Sequence, residues 1–167
     1  YIYKNMGDSQ GFQNRYEYFD YVVPKASKEG GFLEFGVASG KSINYIARLI
    51  NKEIYGFDSF EGFPDDGIIP NPKFTTEKWG GVKWFVGKQK REIPQVKDNV
   101  ILYKGWFKNT IPEFLKKFDK NVTFIHVDCD IYSSTKTIFD NLATRIVPGT
   151  IIMFDEYFGY FEWKQNE

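Results

Sequence analysis

Four carboxylates stand in two short runs of this sequence. Asp128 and Asp130 belong to His126-Val127-Asp128-Cys129-Asp130, and Asp155 and Glu156 to Phe154-Asp155-Glu156-Tyr157. Each run follows an apolar stretch that reads as a buried strand, so if the two strands are neighbours their ends lie ~5 Å apart and the four acids converge. Like charges gathered in this way either force protons onto some members or recruit a cation. Apart from His126 and Cys129 the donors are all oxygen, which points to a hard ion such as Mg²⁺. The competing reading is structural: Asp130 caps the helix that begins near Ser133, and Glu156 is simply solvated. His126, inside a strand, reads as a hydrogen-bonded core residue. Cys129 reads as a small buried filler with no partner base.

A second group of residues surrounds Glu34-Phe35-Gly36-Val37-Ala38-Ser39-Gly40-Lys41-Ser42. A phosphate-binding P-loop needs four residues between its first Gly and the Gly-Lys-Ser/Thr, and here only Val37, Ala38 and Ser39 intervene. The dinucleotide fingerprint wants a second Gly near the place Ala38 occupies. What remains is an acid two residues before the first Gly, a loop of small residues, and Asp58, 22 residues after Gly36. An acid at about that distance hydrogen-bonds a ribose diol in nucleotide-binding βαβ units. Such a loop suits a nucleoside without phosphates, with Glu34 available for an ammonium group, and S-adenosylmethionine fits that description. The alternative is that Gly36 and Gly40 only permit tight strand-helix packing while Asp58 caps a loop.

These residues need a scaffold that brings strand ends together. Phe12, Tyr16, Phe19 and Val23 recur at helical spacing ahead of Pro24. Residues 32–37 form a strand, and a helix opens at Ser39 with Ile43, Ile46, Ala47 and Ile50 facing inward. Strands follow at 54–57, 100–103, 123–127 and 150–154, the last after a Pro148-Gly149 turn, with helices at 111–118 and 133–145. The stretch 62–87, rich in Gly, Pro and Trp, reads as a long loop with a short helix, and its Trp79 to Phe85 run, with Tyr132 and Tyr157, either covers a site or is ordinary packing in an aromatic-rich chain. Strict alternation of strand and helix implies an α/β, doubly wound, Rossmann-like open sheet, mostly parallel, of order 3-2-1-4-5, with ligands at the carboxyl ends of its strands.

Composition narrows the partners. With 22 Lys+Arg against 22 Asp+Glu the 167-residue chain carries no net charge and lacks the basic excess of a protein that grips nucleic acid or an anionic membrane by charge. No window approaches the ~18 apolar residues of a membrane span. One cysteine in the whole sequence favours a reducing compartment, and the chain reads as cytoplasmic. Aromatics reach 19%, so the core is built on rings. Surplus aromatics and an open sheet edge are compatible with a homodimer.

The runs Phe32 to Ser42, Gly56 to Pro64, Lys104 to Phe107 with Thr110 to Pro112, Val127 to Thr135 and Phe154 to Tyr157 resemble, in order, the class I methyltransferases of the macrocin O-methyltransferase family. The resemblance implies an S-adenosylmethionine- and Mg²⁺-dependent methylation of a hydroxyl on a small molecule, commonly a sugar of a natural product. Carried over by position, Asp128, Asp155 and Glu156 become metal ligands and Asp130 the candidate base. Glu34, Gly36, Ala38, Ser39, Gly40, Ser42, Asp58, Ser59, Phe60, Gly105, Trp106 and Asp128 form the cofactor-binding set. Two departures stand out: the metal pair after the fifth strand is Asp-Glu where Asp-Asp is more usual, and the family's final strands have no counterpart after Tyr157. The expected organisation is therefore one domain over 1–167, with an N-terminal helical segment (1–31), a cofactor-binding core (32–157) and the start of a truncated C-terminal part (158–167). A non-catalytic nucleoside-binding or assembly module of the same fold is the rival reading, and a P-loop NTPase a weaker one.

Overall fold

The computed structural model describes residues 8–64 and 91–155. Five strands, β1 (Gly31–Phe35), β2 (Ile54–Asp58), β3 (Val100–Lys104), β4 (Val122–Val127) and β5 (Ile146–Phe154), form one sheet in the order β3-β2-β1-β4-β5. Every neighbouring pair is parallel. Among the described residues four α-helices accompany them: α1 (Arg15–Val22), α2 (Lys41–Leu49), α3 (Phe107–Leu115) and α4 (Tyr132–Leu142). The expected α/β architecture and strand order are those observed. None of the described helices is long and apolar enough to cross a membrane.

Side chains alternate across the sheet and feed two separate cores. Phe32 of β1 and Phe124 of β4 pack with Phe19, Val22, Ile43 and Ile46 on the α1/α2 side. Leu33, Phe35, Ile125 and Val127 pack with Ile111, Phe114, Ile138 and Leu142 on the α3/α4 side. The rings carry much of this second layer: Phe35 stacks on Phe57 at 4.7 Å, and Phe57 on Tyr103 at 5.1 Å. This alternation fixes a functional fact. Glu34 and His126, paired in register across β1 and β4, fall on the α1/α2 side, and Asp128, two residues beyond His126, continues that line past the strand end.

Several boundaries differ from the sequence expectation. Helix α1 begins at Arg15 because the Asn14 side chain caps it, accepting from the N–H groups of Tyr16 and Glu17 at 3.0 and 3.1 Å. Phe12 thus precedes the helix and stacks on Tyr18 at 5.0 Å instead of joining Phe19 in the core. Ile50 is the extended residue ending α2 and is only half-buried. Helix α3 starts four residues before the expected position and holds Pro112 within it. The Pro148-Gly149 pair is no turn between elements: Val122 pairs with Ile146 and Phe124 with Ile151, so the extra residues bulge out of a continuous β5, with Gly149 at φ +95°. The Trp79 to Phe85 run, Glu156 and Tyr157 lie outside the described residues.

Candidate active site

At the carboxyl ends of β1, β2 and β4 the backbone hydrogen bonds run on past the strands: Gly36 N–H donates to Phe57 O, Gly105 N–H to Asp58 O, Asp128 N–H to Phe35 O and Asp155 N–H to Val127 O, all at 2.8–2.9 Å. The strand ends are therefore locked flush. Gly36 makes this possible. Its φ is +91°, and a Cβ there would sit 1.7 Å from the carbonyl oxygen of Asp128. Ala38, with φ +46°, holds the next left-handed position of the loop, and its N–H donates to Asp58 Oδ2 at 2.8 Å. Asp58 Oδ1 accepts from Phe60 N–H at 2.7 Å.

Above these ends opens a cavity of about 450 Å³. Of the expected cofactor residues, Gly36, Ala38, Asp58, Ser59, Phe60, Gly105, Trp106 and Asp128 line it, and so does Asp130. Phe60 is nonetheless almost wholly buried and belongs to the α1/α2 core. Four expected residues do not line it. Ser39 is exposed and Gly40 is packed under Pro94. Glu34 is wholly buried, its Oε1 accepting from Ser42 Oγ at 2.9 Å and its Oε2 3.0 Å from His126 Nδ1. This corrects the expectation that Glu34 meets an ammonium group and that Ser42 faces the ligand: both oxygens of the acid are committed inside the sheet layer. The competing P-loop reading also fails on geometry, because Lys41 is exposed and lies beside Asn44 and Arg48, away from the cavity.

Three of the four expected acids, Asp128, Asp130 and Asp155, lie close enough to act on one another, but not by strand alternation alone, and the fourth, Glu156, is outside the described residues. Strand β4 ends at Val127, and Asp130 reaches the cavity through a left-handed backbone at φ +61°. Nor does Asp130 cap α4, whose N-cap is Ile131 with no side-chain bond. Burial pushes the Asp128 carboxyl up to about 7, helped by the charges of Asp155 and Asp130 and opposed by His126 and Arg15. Asp130 is raised as well, again by desolvation first and then by Asp155, with Arg91 opposing. For His126 desolvation favours the neutral ring, yet the hydrogen bond and charge of Glu34, with the charges of Asp128 and Asp155, carry its pKa above the usual value.

A cation is already present at the acids. The Arg15 guanidinium bridges them, with Nη1 3.5 Å from Asp128 Oδ2 and Nη2 3.0 Å from Asp155 Oδ2. Sequence reasoning misses Arg15 and Arg91, and with them Ser133, Ser134 and Thr137 on the cavity wall. One signal for the arginines is available: Arg is rare in this Lys-rich chain, with four in all, and two of them serve the acidic end of the sheet.

A family model described as a methyltransferase domain matches residues 33–157. The chain belongs to that methyltransferase family. Among curated proteins it is similar to an 8-demethyl-8-(2,3-dimethoxy-alpha-L-rhamnosyl)-tetracenomycin-C 4'-O-methyltransferase of Streptomyces olivaceus, at 27% identity over 77% of this chain and 53% of the relative. It is also similar to a demethyldecarbamoylnovobiocin O-methyltransferase of Streptomyces niveus, at 25% identity over the same shares. The chain thus spans about half the length of the curated relatives it matches. Among solved structures, the calicheamicin methyltransferase CalS11 superposes with a TM-score of 0.58 at 20% identity, over 84% of this chain and 62% of that one. The O-methyltransferase NovP gives 0.60 at 23%, over 86% and 64%. At those identities the structures establish a shared fold. The resemblance to macrocin-type class I O-methyltransferases is borne out, and the matched span of the methyltransferase domain holds every expected site residue from Glu34 to Glu156.

Proposed function

We propose that this methyltransferase domain transfers a methyl group from S-adenosylmethionine to a hydroxyl of a sugar-bearing small molecule, with a divalent cation, Mg²⁺ in the first instance, held at Asp128, Asp155 and Glu156. The observation that carries the proposal is the convergence of Asp58, Gly36, Ala38 and the acids Asp128, Asp130 and Asp155 at the carboxyl ends of the strands. Support for the cation comes from the Arg15 guanidinium: positive charge is accommodated between Asp128 and Asp155. The relatives' named rhamnosyl and novobiocin substrates support the acceptor class.

When bound, the donor would supply an electrophilic methyl on a sulfonium, and a cation at the acids would lower the pKa of an acceptor hydroxyl and fix its direction. The chain's own residues supply the rest. Asp58 spends one lone pair of each oxygen on the Ala38 and Phe60 N–H groups, which holds the carboxylate rigid and leaves its remaining lone pairs for a ribose diol. Trp106 and Gly105 line the same cavity. Asp130, its pKa raised by burial and by Asp155, is a stronger base than an exposed carboxylate and takes the hydroxyl proton. As the new C–O bond forms, the C–S bond breaks, and sulfur keeps its electron pair. In-line positioning of oxygen, carbon and sulfur contributes several kcal/mol to rate, up to about 7–11 for ideal alignment. The cytoplasm, with its supply of the donor, is the proposed location, and a homodimer through the exposed edge of β3, where Ile101 is open to solvent, the proposed assembly.

The test is transfer of radiolabelled methyl from S-adenosylmethionine to a panel of deoxysugar nucleotides and phenolic glycosides. We expect labelled product that disappears with excess EDTA and with Asp130→Asn. Undiminished transfer in EDTA would make the acid cluster structural.

A further inference from the structure

His126 is the only histidine in the sequence, and it is wholly buried. Its Nδ1 lies 3.0 Å from Glu34 Oε2, and Glu34 is held from its other oxygen by Ser42. Its Nε2 is buried with no hydrogen-bond partner among the described residues. A buried ring nitrogen left alone is uncommon in a folded protein and asks for an explanation. The explanation lies beside it: a ring nitrogen of His126 and one carboxylate oxygen each from Asp128 and Asp155 all fall within 4.8 Å of one another. With Nδ1–H given to Glu34, a ring that loses its second proton as a cation enters offers its lone pair on Nε2, the arrangement in which a carboxylate orients a metal-binding imidazole and fixes its tautomer.

We infer that His126 is a nitrogen ligand of the cation site, completing a set with Asp128 and Asp155, and that Glu34 and Ser42 are its positioning residues. This rests on the proposal that the acid cluster holds a divalent cation, and it changes which cation the site prefers. Imidazole is a poor match for Mg²⁺, which favours oxygen, and a good one for first-row ions such as Fe²⁺ and Ni²⁺, with affinity rising along the series from Mn²⁺. Two carboxylates and a neutral imidazole balance a divalent charge. Arg15 currently provides part of that balance, and because its side chain is 45% exposed it can leave as an ion enters. The buried position of Glu34 then has a purpose other than ligand contact: it sets the imidazole that faces the acids. Phe19 packs edge-on against the ring at 5.2 Å and keeps it from rotating away.

The experiment is Mn²⁺ titration of the metal-free chain, without S-adenosylmethionine, read by electron paramagnetic resonance for affinity and by electron spin-echo envelope modulation for bound nitrogen. A single histidine makes the assignment direct, since labelling with ¹⁵N-histidine changes only this residue. We expect modulation from a directly coordinated imidazole that shifts on labelling, Mn²⁺ that resists displacement by excess Mg²⁺, and an affinity about 10–100-fold weaker in Glu34→Gln. Mn²⁺ that binds, is lost in Asp128→Asn, and gives no imidazole modulation would overturn the inference while the cation site stood. Absence of any Mn²⁺ binding would overturn both.

Discussion

Asp128 is expected to work against the stability of the metal-free chain, and the size of that effect follows from its surroundings. Its carboxyl titrates at about 7 in the fold and near 3.8 when solvated, because burial and the neighbouring charges of Asp155 and Asp130 disfavour the ionised form. Between those two values the folded chain holds a proton that the unfolded chain has already released. Stability therefore falls as pH rises from about 4 to about 7, and levels off above. Three pH units at about 1.4 kcal/mol each give a loss of about 4 kcal/mol. A side-chain amide has the shape of the protonated acid and no such titration, so Asp128→Asn should match the parent near pH 4 and exceed it by about 4 kcal/mol at pH 8. Urea unfolding in EDTA at several pH values, compared as the difference between variant and parent, isolates this group from the others that titrate. Added Mn²⁺ or Mg²⁺ should stabilise the parent and leave the variant unmoved. A variant no more stable than the parent at pH 8, or a difference independent of pH, would refute the electrostatic reasoning.

Other outcomes follow from the loop geometry. Gly36→Ala must place a Cβ against the Asp128 carbonyl in a left-handed backbone, and should cost at least about 3 kcal/mol or prevent folding, measured by thermal unfolding followed by circular dichroism. A variant as stable as the parent would mean that the ends of β1 and β4 are not locked as described. Asp58→Ala leaves the Ala38 and Phe60 N–H groups without their acceptor and removes the diol contact; S-adenosylmethionine affinity should fall tenfold or more, at about 1.5–3 kcal/mol per charged hydrogen bond, by calorimetry.

The sheet and its order are legible in the sequence because each strand is an apolar run bounded by turn residues and, except across the long stretch between β2 and β3, separated from the next by a helical period, which leaves few topologies. The acids are legible for the same reason: they terminate recognisable strands. What escapes depends on contacts without local signature. Arg15 lies 113 and 140 positions from the carboxylates it bridges, and nothing in its own neighbourhood announces them. Glu34 reads as facing a ligand because it precedes the glycine loop, yet its place in register with His126 and its bond to Ser42 turn it into the sheet layer. His126 is the hydrogen-bonded core residue that its strand position implies, while its unpaired second nitrogen requires the fold to be seen. The bulge at Pro148-Gly149 reads as a turn because both produce the same residue pair, and only the pairing of β5 with β4 separates them.

The most direct test of the proposed cofactor site is isothermal titration of S-adenosylmethionine into the folded chain, with ATP as the competitor. We expect one-to-one binding, weakened at least tenfold by Asp58→Ala and indifferent to ATP, whose triphosphate has no P-loop to receive it. A folded chain that does not bind S-adenosylmethionine, or that binds ATP more tightly, would contradict the assignment.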